Sequence, residues 1–358
     1  MRSWMGRISA LLIVAVAGVG LPAVAAAAPG SGAAPPGFVP SSTSWTSQRN
    51  GWVLGFAPCE QGQCASLLRT FDAGRHWLRS PAPAVQPSPE HDQVRVHFAN
   101  DLDGLVTDGH RLFASHTAGL VWRQVPLPEA EIGAIAANDR FLYAIVSGTA
   151  GTRLYSTPLH VDRWAPVPGV ELPESGGGDV IASGTSAFVA LTAIFQSAGY
   201  WSSTDGRDWR PSEPPCAVDA VPLLGLARER APFAPFALCS HDPGRGFMAK
   251  DLERAQADGT FSFVGSAPPA GITTGFDAAS SSTVAIAAVG AGFDFVHRGT
   301  AGGTTWDTPF VGDDLPLYDL AFTDPRHATM VAGGPGWPSA TVYRSTDAGT
   351  TWTPLTFD

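Results

Sequence analysis

The sequence predicts an all-β protein, a seven-bladed β-propeller whose blades are four-stranded antiparallel sheets. Three observations predict it. A turn motif of the form S/T-x-D-x-G-x-x-W returns at both ends of the chain. Tryptophans recur at a period of about 45 residues, and each period divides into four short apolar runs separated by turn residues.

The motif is complete at Thr70, Asp72, Gly74 and Trp77, and again at Ser345, Asp347, Gly349 and Trp352. A copy with one residue deleted supplies Ser203, Asp205, Gly206 and Trp209. Weaker copies keep Ser115, Gly119 and Trp122, then Ser156 and Trp164, then Gly303 and Trp306. The stretch around Phe263 fills the one double interval as a worn copy with Phe in place of Trp. Within the second unit, VRVHFAN, GLVTD, LFASH and VWRQVPL read as strands, because β-branched and apolar runs are bounded by Gly, Asp and Asn. Sustained helical periodicity is lacking; only DLERAQA, from Asp251, has the look of a helical turn or two. Four antiparallel strands per unit of this length is the arithmetic of a propeller blade.

Ahead of the repeats, Arg2 and Arg7 precede an apolar run from Ile8 to Val19 and then small residues. That order reads as a secretory signal peptide over residues 1–27, cut after Ala25-Ala26-Ala27. A retained anchor fits less well, since Gly18, Gly20 and Pro22 break a short run. Residues 28–37 form a Pro/Gly-rich linker, and residues 38–358 form the propeller. Removing the first 27 residues leaves 20 basic and 32 acidic residues, a balance of −12, with Lys250 the single lysine. Such a surface excludes nucleic acid and anionic membranes as natural partners. Outside the cytoplasm, Cys59, Cys64, Cys216 and Cys239 read as two disulfides, 59–64 and 216–239; zinc spacing is absent.

These boxes resemble the Asp-box, or BNR, repeats of sialidases, sortilin-type receptors, bacterial xyloglucan hydrolases and photosystem II assembly factors. The resemblance covers the mature chain, and it implies a turn and a fold rather than an activity. Each box is then the turn between the third and fourth strands of a blade. Its Asp accepts two backbone N–H groups, the preceding hydroxyl fastens the loop, and Gly supplies a positive φ. The box tryptophans lie on the seams between blades, where burying one indole contributes roughly 4–6 kcal/mol gross. The arginines just ahead of the boxes, Arg69, Arg298 and Arg344, read as solvated repeat positions.

A sialidase-like site needs an arginine cluster on inner strands, a Tyr nucleophile and its carboxylate partners. Here GFVPSSTSW lacks the arginine of the first motif, Arg95 is the one arginine expected on an inner strand, and Tyr318 has no Glu near it. A xyloglucan-hydrolase site lies between two propellers, and one is present. An assembly-factor role calls for an arginine-rich patch that the sparse basic residues do not supply. The nine histidines show no H-x-H or H-E-x-x-H spacing, so neither a metal nor a cofactor is expected. ESGGGDV, Glu174 to Val180, reads as a loop between blades.

Binding is expected on the face opposite the boxes, where variable loops join strands two and three and successive blades. Acidic residues crowd these connections: Glu129 and Glu131, and Asp313 and Asp314. Trp337, between Gly and Pro, and Phe195 stand at loop tips, and Tyr318 enters an inner strand. The reading is a secreted, monomeric, non-catalytic module that binds a protein or a carbohydrate. The alternative is an extracellular glycoside hydrolase with an unfamiliar site.

Overall fold

The computed structural model describes residues 34–358 apart from 61, 89–93, 129–130, 194–195, 230–233, 245, 314, 338 and 358. The signal peptide, most of the linker, and Glu129, Phe195 and Asp314 lie outside the described residues.

Seven four-stranded antiparallel sheets, each made of four consecutive strands, form the blades. The first and innermost strands are Val39–Trp45, Val94–Phe98, Glu131–Ala137, Gly177–Ser183, Val221–Leu226, Ile272–Ser280 and Leu317–Phe322. Outer strands are often short; that of blade 2 is only Arg123–Gln124. DLERAQA is not helical. Lys250–Ala255 is a third strand, pairing Leu252 with Leu238 on one side and Gly265 on the other. Local composition favours a helix there, but alternate residues must serve two different sheet faces. ESGGGDV also departs from expectation, since Gly177–Ser183 is the inner strand of blade 4.

No blade buries both of its faces alone, so the hydrophobic core is divided among the seams. Seven buried clusters correspond to the seven seams. Trp52, Phe56 and Phe98 join blades 1 and 2. Leu105, Ile132 and Leu142 join blades 2 and 3. Tyr143, Val189 and Trp201 join blades 3 and 4, whereas Tyr200 and Leu224 join 4 and 5. Phe236 with Phe276, then Phe322 with Val296, fill the next two. Trp77 and Val331 close the ring between blades 7 and 1. The box tryptophans do lie at these seams, but at their outer margins. Trp122, Trp164, Trp209, Trp306 and Trp352 are half-buried, and Trp77 alone is fully so. The centre of each seam is built by side chains of the first three strands of its blades.

Blade 5 is the exception that the sequence misplaced. Phe263 is 60% exposed, and Phe261 packs edge-on against Tyr200 instead. Residues 261 and 263 share a strand face, both lying on the same side of the bulge between Leu252 and Glu253, so they differ in position along the strand: Phe261 stands opposite Ala255 and Phe263 opposite Glu253. The seam that lacks a tryptophan contains the Cys216–Cys239 disulfide, with both cysteines in its buried cluster. Cys59–Cys64 pins the hairpin between the second and third strands of blade 1, so both expected pairings form.

Ring closure involves no exchanged strand. Ala34 N–H donates to Phe357 O at 3.0 Å, and Trp77 Nε1 donates to Thr356 O at 2.9 Å. Arg344 reaches from blade 7 to Ala73 O and Gln48 O in blade 1, both at 2.6 Å, while lying over the Trp45 ring. Arg69 likewise donates to Asp101 O of blade 2 and covers Trp52. Arg298 binds Asp307 in its own blade and Thr350 in the next. The arginines ahead of the boxes are therefore not solvated positions. They clamp neighbouring blades, because a long planar donor can stack on an aromatic ring while reaching carbonyls beyond it.

Candidate functional site

The box turns are stapled locally. Ser203 Oγ accepts Gly206 N–H, and Asp205 accepts Arg207 and Asp208 N–H at 2.8 and 2.9 Å. Those two donors hold the Asp205 carboxyl below the usual carboxylate range. Asp72 and Asp347 each accept only one backbone N–H beyond the turn, from His76 and Thr351. In these two, the Thr70 and Ser345 hydroxyls take the N–H of Gly74 and Gly349. Gly206 (φ 76°) admits no side chain: a Cβ there lies 2.5 Å from the Phe141 ring. All three aspartates sit at the outer turns and line neither channel cavity.

The channel is where polar groups converge. Two cavities of about 220 Å³ each meet at Thr43, His97, Arg228 and Ala321. The one toward the face opposite the boxes is lined by Arg95, Asp179, Asp277 and Asp319. Innermost strands expose an unpaired edge to this channel, and edge N–H groups need acceptors. Side chains of the adjacent blades supply them. Asp179 Oδ2 accepts Leu224 N–H at 2.8 Å, Asp319 Oδ2 accepts Thr43 N–H at 3.0 Å, and Ser42 and Ser44 accept Val96 and Phe98 N–H. Asp277 takes Ala278 and Leu226 N–H on one oxygen, and Phe322 N–H and Arg228 Nη2 on the other. It thus ties blades 5, 6 and 7 together. Asp319 holds a positive φ of 50° beside a bulge, which turns its carboxylate toward blade 1.

Sequence reasoning anticipated Arg95 and missed the rest. Arg228 follows an inner strand rather than lying within it, and Asp179 sits in the glycine run taken for a loop. The available signal was positional: an acid at matching depth in three of the inner strands. Burial raises the Asp179 carboxyl, against the Leu224 N–H and Arg95 that favour its ionised form. Burial, aided by Arg228, pushes His97 down to about 4. A depressed histidine is neutral in the folded protein and charges on unfolding. Its contribution is present above about pH 6.5 and lost as pH falls from there toward 4. Urea unfolding at pH 7.5 and pH 5 is expected to show a loss of up to about 2 kcal/mol that His97→Phe removes. An unchanged pH slope in that variant refutes the assignment.

A third cavity, about 490 Å³, opens on the face opposite the boxes, between blades 5 and 6. Val221, Leu223, Met248 and Ile272 wall it, and Asp219 and Asp242 stand among its lining. Its frame is held rigidly. Lys250, buried, shares the three N–H donors of Nζ among Met248 O, Pro268 O, Ala270 O and Gly271 O, at 2.7–3.2 Å. Burial pushes that ammonium down to about 8. His241 is held by Asp251 at 3.3 Å.

Of the described residues expected to bind, Trp337 is 36% exposed on the loop between the second and third strands of blade 7. Glu131 opens the inner strand of blade 3 and Asp313 lies in the blade 6–7 connection, both exposed. Tyr318 is half-buried in the blade 7 inner strand. None of the four lines the channel cavities or the blade 5–6 pocket.

No protein-family model and no curated protein sequence matches the chain. Solved structures do. YCF48 bound to D1 peptide is similar at TM-score 0.54 and 16% identity, covering 88% of this chain and 95% of that one. Oligogalacturonate lyase from Vibrio parahaemolyticus is similar at TM-score 0.55 and 11% identity, over 88% and 92%. Virginiamycin B lyase from Staphylococcus aureus gives TM-score 0.52 and 12% identity, over 84% and 95%. At such identities the likeness concerns architecture alone: this chain has the fold of a seven-bladed β-propeller.

Proposed function

We propose that the protein is a secreted binding module that takes a polypeptide ligand on the face opposite the box turns, with an apolar side chain of the ligand seated in the blade 5–6 pocket. The observation that carries this reading is the pocket itself: preformed, with an aliphatic wall, and framed by the carbonyls that Lys250 holds. A rigid site loses little entropy on binding. Val218 and Phe247, next in sequence to the lining residues Asp219 and Met248, are 65% and 57% exposed, which extends the apolar surface outward. Asp219 and Asp242 favour basic residues flanking the inserted one. A carbohydrate reading is less well served, because the walls offer no Trp, Tyr or Phe platform on which a sugar ring could stack. That a similarly folded protein is solved with a peptide supports the choice of ligand class. Trp337, Phe195, Glu129, Glu131, Asp313, Asp314 and Tyr318 belong to the same proposal as rim contacts around that face.

Two disulfides fit an oxidising, extracellular setting, and no helix among the described residues is long and apolar enough to cross a membrane. The second reading, a glycoside hydrolase, has one observation in its favour. Asp179 is raised and lies within electrostatic reach of Asp277, the pattern of an acid and its partner base. Against it, both oxygens of Asp277 are already engaged by backbone donors and Arg228.

A peptide array varying one apolar position between Lys or Arg residues is the test, read by fluorescence anisotropy. Binding is expected to drop at least about tenfold in Met248→Asp and less in Trp337→Ala. Binding unaffected by Met248→Asp refutes the pocket. Turnover of fluorogenic glycosides that vanishes in Asp179→Asn replaces this reading with the second.

A further inference from the structure

We propose that Asp103, His116 and His160 form a site for a zinc-class divalent cation that staples blade 2 to blade 3 on the box-turn face. The three come from separate loops: Asp103 from the turn between the first and second strands of blade 2, His116 and His160 from the box turns of blades 2 and 3. No spacing in the sequence joins them, and local motif reading could not find them.

The geometry converges on one atom. Asp103 Oδ1 lies 2.7 Å from His116 Nδ1 and 2.9 Å from His160 Nδ1. The three donor atoms lie within 4.8 Å of one another. Around a tetrahedral ion with bonds of about 2.0–2.2 Å, donors stand roughly 3.3–3.6 Å apart, so the two separations from Asp103 Oδ1 must widen by roughly 0.4–0.9 Å. Two imidazoles and a carboxylate are a borderline nitrogen and oxygen set, which suits zinc better than calcium or magnesium. His160 is 60% exposed, so the fourth position faces solvent and would hold water.

Asp103 and His116 also have the outer support that metal ligands need. Asp103 is fully buried, and its second oxygen accepts Asn100 Nδ2 at 2.8 Å, leaving Oδ1 for the site. His116 Nε2 is held by Asp162 Oδ1 at 3.0 Å, which orients the ring with Nδ1 inward. His160 adopts a left-handed backbone, φ 61°, uncommon outside glycine and found where a side chain must be aimed.

A separate observation says why a staple belongs here. Among the described residues, the blade 2–3 seam is the one whose buried cluster holds no aromatic ring. Its two box turns have also lost their aspartate. Thr117 takes Val121 N–H in one, and Thr157 takes Arg163 N–H in the other. The seam between blades 4 and 5, which lacks a box tryptophan, carries a disulfide. The cation plays the same part for blades 2 and 3, and the site is distinct from the peptide face, which lies on the other side of the ring.

The experiment uses the full, disulfide-intact protein without a histidine tag, titrated with zinc chloride by calorimetry at pH 7.5. One equivalent is expected to bind and to raise Tm. Cobalt in its place is expected to give a visible d–d absorption. His116→Ala and His160→Asn, the latter chosen because Asn tolerates a left-handed backbone, should each weaken zinc binding on the order of 100-fold. Asp162→Asn should weaken it by about 10–100-fold while leaving zinc-free Tm little changed. Absence of zinc binding at 1 mM, or binding that survives both histidine variants, overturns the site. Retained circular dichroism in the His160→Asn protein separates loss of the ion from loss of the fold.

Discussion

Asp277→Ala is expected to be the most destabilising single change in the channel, by about 3–5 kcal/mol. The carboxylate is 7% exposed and accepts from Ala278, Leu226, Phe322 and Arg228. Alanine strands three backbone donors of blades 5, 6 and 7, each costing about 1–3 kcal/mol when buried without a partner, although water entering the channel offsets part of that. It also leaves the Arg228 guanidinium without its anion, and Arg228 Nε already lacks an acceptor. Asp277→Asn keeps one acceptor oxygen and is expected to cost about half as much. Adding Arg228→Met to Asp277→Asn should restore part of the loss, because the unpaired charge goes with it. Urea unfolding checks all three variants. A cost below about 1 kcal/mol for Asp277→Ala contradicts the role assigned to it.

Trp52→Ala is expected to cost about 3–5 kcal/mol, and Trp122→Ala roughly half of that. Both rings serve the seam between blades 1 and 2. Trp52 is wholly buried, stacked on Phe98 with centroids 3.8 Å apart, under the Arg69 guanidinium, with Nε1 donating to Ala118 O. Trp122 is half-buried and meets Phe98 edge-on at 6.0 Å. Removing the first opens a cavity between two rigid sheets that cannot collapse together, since both are held in the ring. Removing the second opens a notch that water can fill. Equal losses in the two variants, measured by the same denaturation, speak against placing the seam's centre at Trp52, on the second strand, rather than at the box tryptophan.

The sequence made the repeating architecture plain and the site nearly invisible. Blade number, the position of the box turns, and both disulfide pairings follow from features repeated or spaced within one unit, and local periodicity reports those. Phe263 was the wrong aromatic because Phe261, two residues earlier on the same strand face, is the one that meets Tyr200 of the neighbouring blade, and a contact between blades leaves no local mark. The stretch around Asp179 looked like a loop because glycines lower strand propensity, yet two neighbouring blades enforce extension there. Arg69, Arg298 and Arg344 looked solvated because the groups they clamp lie in the next blade.

What the chain settled by itself is the unit: four strands, a stapled turn, an aromatic near the seam, repeated seven times. Those depend on alternation, turn chemistry and burial, which act over a few residues. What only the closed ring decided is which groups meet across units. Asp277 touching three blades, Asp103 gathering two histidines from different turns, and the aliphatic pocket framed by Lys250 all depend on contacts between residues far apart in sequence. Closing the ring places every inner edge against a neighbour, and the unsatisfied donors there determine where the buried charges must stand.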